Sequence, residues 1–321
     1  MAGLNTLTLL DIGRAGRTAG LGFDYLSLFG NDISVAIDNP SMITPEMNGT
    51  LVASLQTMSG LSTVGSISYG LNVGPLGTAV VGFHYCNYGS FEEYSEEEQH
   101  LGKFSVADYA LNIGWGMWID SNFSIGANFK PVLSQYEQYT AVALALDVSG
   151  SFVTDNRRFS ATLMARNMGS QIVTFDQTVE KLPFELSAAL SYKLARAPFR
   201  LFFAATELQH WNLRYDDPLN PTTQTDPFTG QVTTEKWYEG VFDNLMRHTL
   251  FGIEVNIGKS VYGRVGYNYR QAAEMKGADA FNLSGFSFGF GIRTKRFDFA
   301  FARRNFHLSQ APNFFTFAYR F

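Results

Sequence analysis

Apolar and polar residues alternate with a period of two over much of the chain, most clearly toward its C-terminal end. Phe315, Phe317, Tyr319 and Phe321 take every second position. Phe297, Phe299 and Phe301 alternate with Asp298, Ala300 and Ala302, and Phe286, Phe288, Phe290 and Ile292 alternate with Ser287, Gly289, Gly291 and Arg293. Val261, Gly263, Val265, Tyr267 and Tyr269 alternate with Tyr262, Arg264, Gly266, Asn268 and Arg270. Successive side chains on a strand point to opposite faces, so each segment carries one aromatic or aliphatic face and one small or charged face. A soluble sandwich rarely sets so many Gly and Arg opposite so many exposed aromatics. The pattern predicts an all-β protein: a closed antiparallel transmembrane β-barrel with lipid outside and a polar lumen inside.

About fourteen strand candidates follow one another, close to the length a tilted spanning strand needs. They begin near Thr50, Ser62, Leu76, Phe104, Asn122, Gln138, Arg158, Pro183, Pro198, Leu245, Ser260, Phe281, Arg296 and Pro312. An even count suits a closed barrel without an unpaired edge. Even-to-odd links are tight, as at Gly74-Pro75, Asp155-Asn156, Ala197-Pro198 and Gly258-Lys259. Most odd-to-even links are longer: 88–103, 170–182, 212–244, 271–280 and 307–312. Short periplasmic turns and long surface loops are the habit of outer-membrane barrels. The expectation is a bacterial outer-membrane protein with both termini periplasmic and the long loops extracellular.

The barrel is expected to occupy residues 48–321, preceded by a segment 1–47 of different character. Gly13, Gly16, Gly20 and Gly22 crowd one region, and Asp38-Asn39-Pro40 reads as a turn. GRAGRTAGLG has the glycines misplaced for a dinucleotide fingerprint and no clear strand before it. A compact segment packed into the lumen as a plug is the better reading. MAGLNTLTLL has neither a basic n-region nor a cleavage site. The expectation is that a secretory leader has been removed and that Met1 is not native to the mature chain.

Composition narrows the picture. Charged residues make up 17% and aromatics 15% of the 321 positions. Mean hydropathy is −0.05, and no apolar run is long enough for a transmembrane helix. A net charge of −5, without a basic cluster interleaved with aromatics, argues against nucleic acid as a partner. Cys86, the single cysteine, rules out an internal disulfide and a cysteine-based metal site. Lys130, Arg166, Glu185, Lys193, Glu254, Arg264, Arg293, Asp298 and Arg304 fall on the small or polar face of their strands. A charge facing lipid at mid-depth costs about 2–4 kcal/mol. Facing inward with mixed signs, these groups predict a crosslinked, partly filled lumen rather than an open ion-selective pore.

Catalytic signals are thin. His84, His100, His210, His248 and His307 show no metal-ligand spacing and no nucleophile elbow. His210, His248 and His307, with Asp216, Asp217 and Asp243, are expected near the outer ends of strands, but no nucleophile or base is singled out. No enzyme activity, cofactor or metal is predicted. The acidic loops Glu92–Glu98 and Asp216–Asp226 match no Ca²⁺-binding loop and read as solvated. The longest connection, 212–244, holds Tyr215, Phe228, Trp237 and Tyr238. Long loops are usually functional or disordered, and aromatics favour a docking surface. A lid or plug is the competing reading of this loop. Phe321 is expected to mark the barrel's terminal strand.

Ala15 and Ala19-Gly20-Leu21-Gly22, followed by Asp38-Asn39-Pro40, resemble the Gly-rich entry and Asn-Pro turn of FadL-like outer-membrane barrels. Arg166-Asn167-Met168-Gly169, Leu182-Pro183-Phe184, Ala197-Pro198-Phe199-Arg200 and His210-Trp211-Asn212-Leu213 resemble, in order and spacing, the PorV/PorQ branch of that group, and most closely the PorQ pattern. Gly266–Arg270 and Leu283–Gly291 continue the likeness. Asn39-Pro40-Ser41-Met42 departs from the commoner Asn-Pro-Ala form. The resemblance implies a non-enzymatic barrel of the type IX secretion system. It implies membership of an attachment complex with PorU, PorV and PorZ, in which a PorQ-type barrel anchors PorZ while sortase-like PorU joins cargo to anionic lipopolysaccharide. Two functions follow as expectations. One is a scaffold that holds a PorZ-like surface protein through its outer loops. The other is FadL-like transport of hydrophobic small molecules, for which glycines 285, 289 and 291 offer a kink in the wall.

Overall fold

The structure is a computed structural model. It describes the chain apart from residues 1–6, 14, 24–26, 58–61, 96–98, 176–177, 215–222, 226–231, 235, 259, 276–282 and 306–310.

Fourteen strands close into one antiparallel barrel. They are β1 (Thr50–Thr57), β2 (Thr63–Asn72), β3 (Thr78–Tyr94), β4 (His100–Trp118), β5 (Phe123–Tyr136), β6 (Tyr139–Val153), β7 (Phe159–Val173), β8 (Glu185–Lys193) and β9 (Phe199–Ala205), then β12 (Thr249–Ile257), β13 (Val261–Asn268), β14 (Phe286–Arg293), β15 (Phe297–Arg304) and β16 (Asn313–Arg320). β10 (Thr223–Thr225) and β11 (Val232–Thr234) form a separate two-stranded ribbon in the long loop before β12. Each barrel strand pairs with its sequence neighbour, β9 with β12, and β1 closes on β16 with Thr50 opposite Arg320 and Thr57 opposite Asn313. Closure leaves no edge exposed, which a lipid environment requires.

The period-two pattern resolves into an apolar outside and a polar inside. Phe315, Phe317, Phe299, Phe288, Phe290, Val265 and Ile253 are exposed on the outer surface, while Thr316, Ala300, Ala302, Ser287, Arg264 and Glu254 are buried within. Outward rings meet across strands, with Phe301 5.3 Å from Phe315 and 5.4 Å from Phe290. Water would tolerate this uncovered apolar belt poorly; acyl chains complete it. No helix among the described residues is long and apolar enough to cross a membrane.

Several boundaries differ from the sequence reading. The supposed loop 88–103 is mostly strand: β3 and β4 stay paired out to Tyr94 and His100, with Glu92 opposite Lys103. Near Leu245 the chain is helical, and β12 starts only at Thr249. Tyr269 leaves the alternation because the Asn268 side chain caps a short helix, accepting from the Gln271 N–H at 3.0 Å. Strand length is uneven, from 14–19 residues in β3–β7 to seven in β9. β9 stops short of a full span because the chain turns away at Glu207, whose φ of 57° lies in the left-handed region. β14 stays in continuous register through Gly289 and Gly291, opposite Ala302 and Ala300, so these glycines do not interrupt the wall.

The described part of the N-terminal segment lies against the inner wall. It contains the helical turns α1 (Gly16–Ala19) and α2 (Ile33–Ala36). Leu21, Phe23, Leu28 and Val35 pack with Met164, Phe202 and Leu250, and Ile33, Ile37, Ile43 and Met47 with Val52 and Val80. Two inward glycines make the close approach possible. A Cβ on Gly266 would fall 1.9 Å from the Leu21 carbonyl oxygen, and one on Gly126 would fall 2.3 Å from Pro40.

Polar groups knit the segment to the wall. Arg17 reaches Glu254 at 2.9 Å and Asp32 at 3.0 Å, and Arg264 reaches Glu254 from the neighbouring strand at 2.9 Å. Arg293 binds Asp298 and Asp32. The Asn39 amide donates to Thr162, and the hydroxyls of Ser41 and Ser151 meet at 2.6 Å. Across the lumen's other side, Lys130 pairs with Asp147, and Arg166 with Glu185. Lys130, Arg166, Glu185, Glu254, Arg264, Arg293 and Asp298, all expected to face inward, therefore meet partners of opposite sign. Lys193 differs: it is exposed at the end of β8.

Candidate docking surface

The odd-to-even connection after β9 builds a helical platform at the rim opposite the tight turns. Its main element is α3 (Trp237–Arg247). Trp237, Val241 and Leu245, with Tyr238 and Phe242, recur at helical spacing and share one face. The Glu239 carboxylate accepts from the Lys236 N–H at 3.3 Å in the first turn. Arg247 lies in the last turn, where positive charge suits the helix dipole.

The polar face of α3 is the one held down. The buried Asn244 amide donates to the Trp211 carbonyl and its side-chain oxygen accepts from the Leu213 N–H at 2.9 Å. Asp243 pairs with Arg247 at 2.8 Å and Arg214 at 3.2 Å, and accepts from the Tyr269 hydroxyl at 2.9 Å. Partial burial opposes ionisation of Asp243, but the hydrogen bonds from Arg247 and Tyr269 outweigh it and hold the carboxyl below its ordinary range. Burial and the same carboxylate push the Tyr269 hydroxyl up to about 12. A second short helix, α4 (Tyr269–Glu274), extends the clamp: Arg270 bonds Glu274 at 3.0 Å and Glu207 at 3.4 Å. His248 stacks on Trp211 and contacts the Thr206 carbonyl at 2.7 Å.

The apolar face is left outward. Trp237 is 80% exposed and Phe242 61%, with Tyr238, Val241 and Leu245 about half exposed. A helix on a globular surface ordinarily does the reverse. Trp211, also exposed, lies beside this platform. Aromatic side chains held in place by a polar underside are the usual anchors of a protein interface.

Of the four docking residues expected from sequence, Trp237 and Tyr238 sit on this face. Tyr215 and Phe228 lie outside the described residues, as do Asp216, Asp217 and His307. Val241, Phe242 and Leu245 do not stand out in the sequence, where the pattern predicts a strand from Leu245 and a loop before it. Their i, i+4, i+8 spacing with Trp237 was the available signal. Of the histidines and aspartates expected at this rim, His210 approaches Glu207 at 3.5 Å, His248 lies against Trp211, and Asp243 is engaged with arginines. No group of three metal-ligating side chains occurs among the described residues. Phe321 is exposed at the turn-bearing rim, where its N–H donates to the Gly49 carbonyl at 3.0 Å.

A further apolar feature lies on the wall itself. A groove of about 510 Å³ is lined by Leu190, Tyr192, Leu201, Phe251, Ile253 and Val265, side chains of β8, β9, β12 and β13 that face outward.

No protein-family model matches the chain, and no curated protein matches it. Solved structures do. A deltaS2 mutant of the TodX monoaromatic hydrocarbon channel superposes with a TM-score of 0.54 at 13% identity, covering 98% of this chain and 99% of the other. The CymD monoaromatic hydrocarbon channel gives 0.54 at 11% identity with 99% of both chains covered. The Pseudomonas putida toluene transporter TodX gives 0.50 at 10% identity with 95% of both covered. The likeness is one of fold: these neighbours are FadL-like outer-membrane barrels, and this chain has their fourteen-stranded closed architecture.

Proposed function

We propose that this chain is a non-enzymatic outer-membrane barrel that anchors a protein partner at the cell surface. The observation that carries the reading is the inverted helix α3, whose polar side is clamped to the rim and whose Trp237, Tyr238, Val241, Phe242 and Leu245 face out. The wall supplies rigidity through lipid burial and closed pairing. The segment before β1, crosslinked through Arg17 and Glu254, acts as a plug that keeps the lumen from serving as a free passage. In this reading the turns and both ends of the described chain face the periplasm, and α3 faces outward from the cell. The finer form places the barrel in the type IX secretion attachment complex, with a PorZ-like protein on α3 and PorU and PorV in the same assembly. Affinity purification from outer membranes tests it. Val241→Asp with Phe242→Asp should leave membrane insertion intact and release the partner; a partner that stays bound sinks the assignment to α3.

The second reading is passage of a hydrophobic small molecule. The apolar groove over β8, β9, β12 and β13 supports it, as do the hydrocarbon channels among the structural neighbours. Liposome uptake of a monoaromatic compound, lost when Leu201 and Ile253 are both replaced by Trp, would favour it over the scaffold.

A further inference from the structure

The turn-bearing rim concentrates positive charge that neither reading uses. Two adjoining polar cavities open there. One, of about 380 Å³, is lined by Phe29, Asn156, Arg157, Arg158, Lys193 and Arg200, with backbone of the β8–β9 turn. The other, of about 170 Å³, shares Phe29, Lys193 and Arg200 and adds Arg17, Asn256 and Arg293. No carboxylate lines either cavity among the described residues.

Arg17 and Arg293 are engaged with Asp32, but Arg200 is not paired with any carboxylate among the described residues. It is 9% exposed, and its Nη1 donates only to the Ser191 hydroxyl, at 3.1 Å. Lys193 stands directly opposite Arg200 in the β8–β9 pairing, and like charges so placed repel. The Lys193 N–H donates to the Arg158 carbonyl at 2.8 Å, which brings a third cation alongside. Arg157 completes the group. Its backbone sits in the left-handed region at φ 54°, its guanidinium lies 4.3 Å from the Phe29 ring centre and 5.2 Å from that of Trp118, and its Nη1 is buried without a hydrogen-bond partner. Backbone strain of this kind persists only where surrounding structure enforces it.

We propose that this mouth binds a phosphate-bearing anion. Arg200 and Arg157 supply planar donor forks suited to phosphate oxygens, and Lys193 and Arg158 supply mobile charge at the entrance. The larger cavity has room for a phosphoryl group and part of what carries it. The same chemistry is offered by a soluble phosphate ester and by a lipid headgroup at that membrane surface.

The test uses the full chain. Calorimetry in detergent micelles follows glycerol 3-phosphate, and nanodiscs compare phosphatidic acid with phosphatidylcholine. Lys193→Gln with Arg158→Gln, both at exposed positions, should weaken binding at least tenfold while the folded band in unheated gel electrophoresis is unchanged. Arg200→Gln should do the same if it folds, and Phe242→Asp should have no effect. Saturable glycerol 3-phosphate binding lost in the double variant identifies a soluble ester as the ligand. Binding seen only with phosphatidic acid, and lost in the same variant, identifies a headgroup. No saturable binding of either probe, or binding that the double variant leaves within twofold, overturns the proposal. Partner retention by α3 is unaffected in every case, so the two proposals fail separately.

Discussion

Arg17, in the segment before the first strand, lies 2.9 Å from Glu254 on β12, 237 residues later in the chain. Glu254 is also bound by Arg264 at 2.9 Å, and Arg17 by Asp32 at 3.0 Å. With Arg293 bridging Asp32 and Asp298, three cations and three anions thus alternate inside the lumen, so the charges balance only as a set. Truncating one member leaves the others buried without compensation, which typically costs about 3–5 kcal/mol. Glu254→Ala removes the anion shared by both guanidinium groups and should destabilise the barrel by that order. Arg17→Met leaves Glu254 still bound to Arg264 and should cost less. Urea unfolding in micelles, read by electrophoretic mobility, measures both; a larger loss for Arg17→Met would contradict this account.

Asn167 supplies a second connection that geometry makes specific. Its backbone lies at φ 56° where the β6–β7 register shifts, its N–H donates to Asp147 at 2.8 Å, and its side-chain oxygen accepts from Lys130 at 2.6 Å. Asn167→Gly and Asn167→Ala both lose the side-chain bonds, but only Ala also strains the left-handed backbone. The Ala variant should unfold at lower urea, by about 1 kcal/mol relative to Gly.

Gly126 leaves no room for a larger residue beside Pro40. Gly126→Ala should push the Asn39–Ser41 stretch off the wall while the outward-facing surface is unchanged. Limited proteolysis should then cut in the 30–47 region, which the native barrel protects.

If α3 is the docking face, Trp237 should be a principal anchor. Trp237→Ala should weaken the partner by about 2 kcal/mol, roughly thirtyfold. Glu239→Ala, off the apolar stripe, should change binding less than threefold. Surface plasmon resonance with the captured partner separates the two.

Acid should loosen the platform before the barrel. The Asp243 carboxyl is held below its ordinary value of 3.8. Its contribution is therefore complete above that value and is lost as pH falls through the lower folded value. Tryptophan fluorescence from Trp211 and Trp237 should shift below pH 3.8, and the shift should disappear in Asp243→Asn.

The strands were legible from sequence because their pattern is local. Lipid on one side and a polar interior on the other force alternation into each segment, as in Phe286–Arg293, and counting those segments gives the fourteen strands of the barrel. Trp237–Arg247 was misread because its period of 3.6 lies next to a strand start, and an apolar face turned away from the protein resembles an aromatic-rich loop. Other features belong to the closed structure alone. Arg17 finds Glu254, and Pro40 lies on Gly126, only after the barrel has curled round and brought distant parts of the chain within reach. Alternation says that Glu254 points inward. Which cations neutralise it depends on where the N-terminal segment comes to rest, a matter of packing that no local pattern encodes.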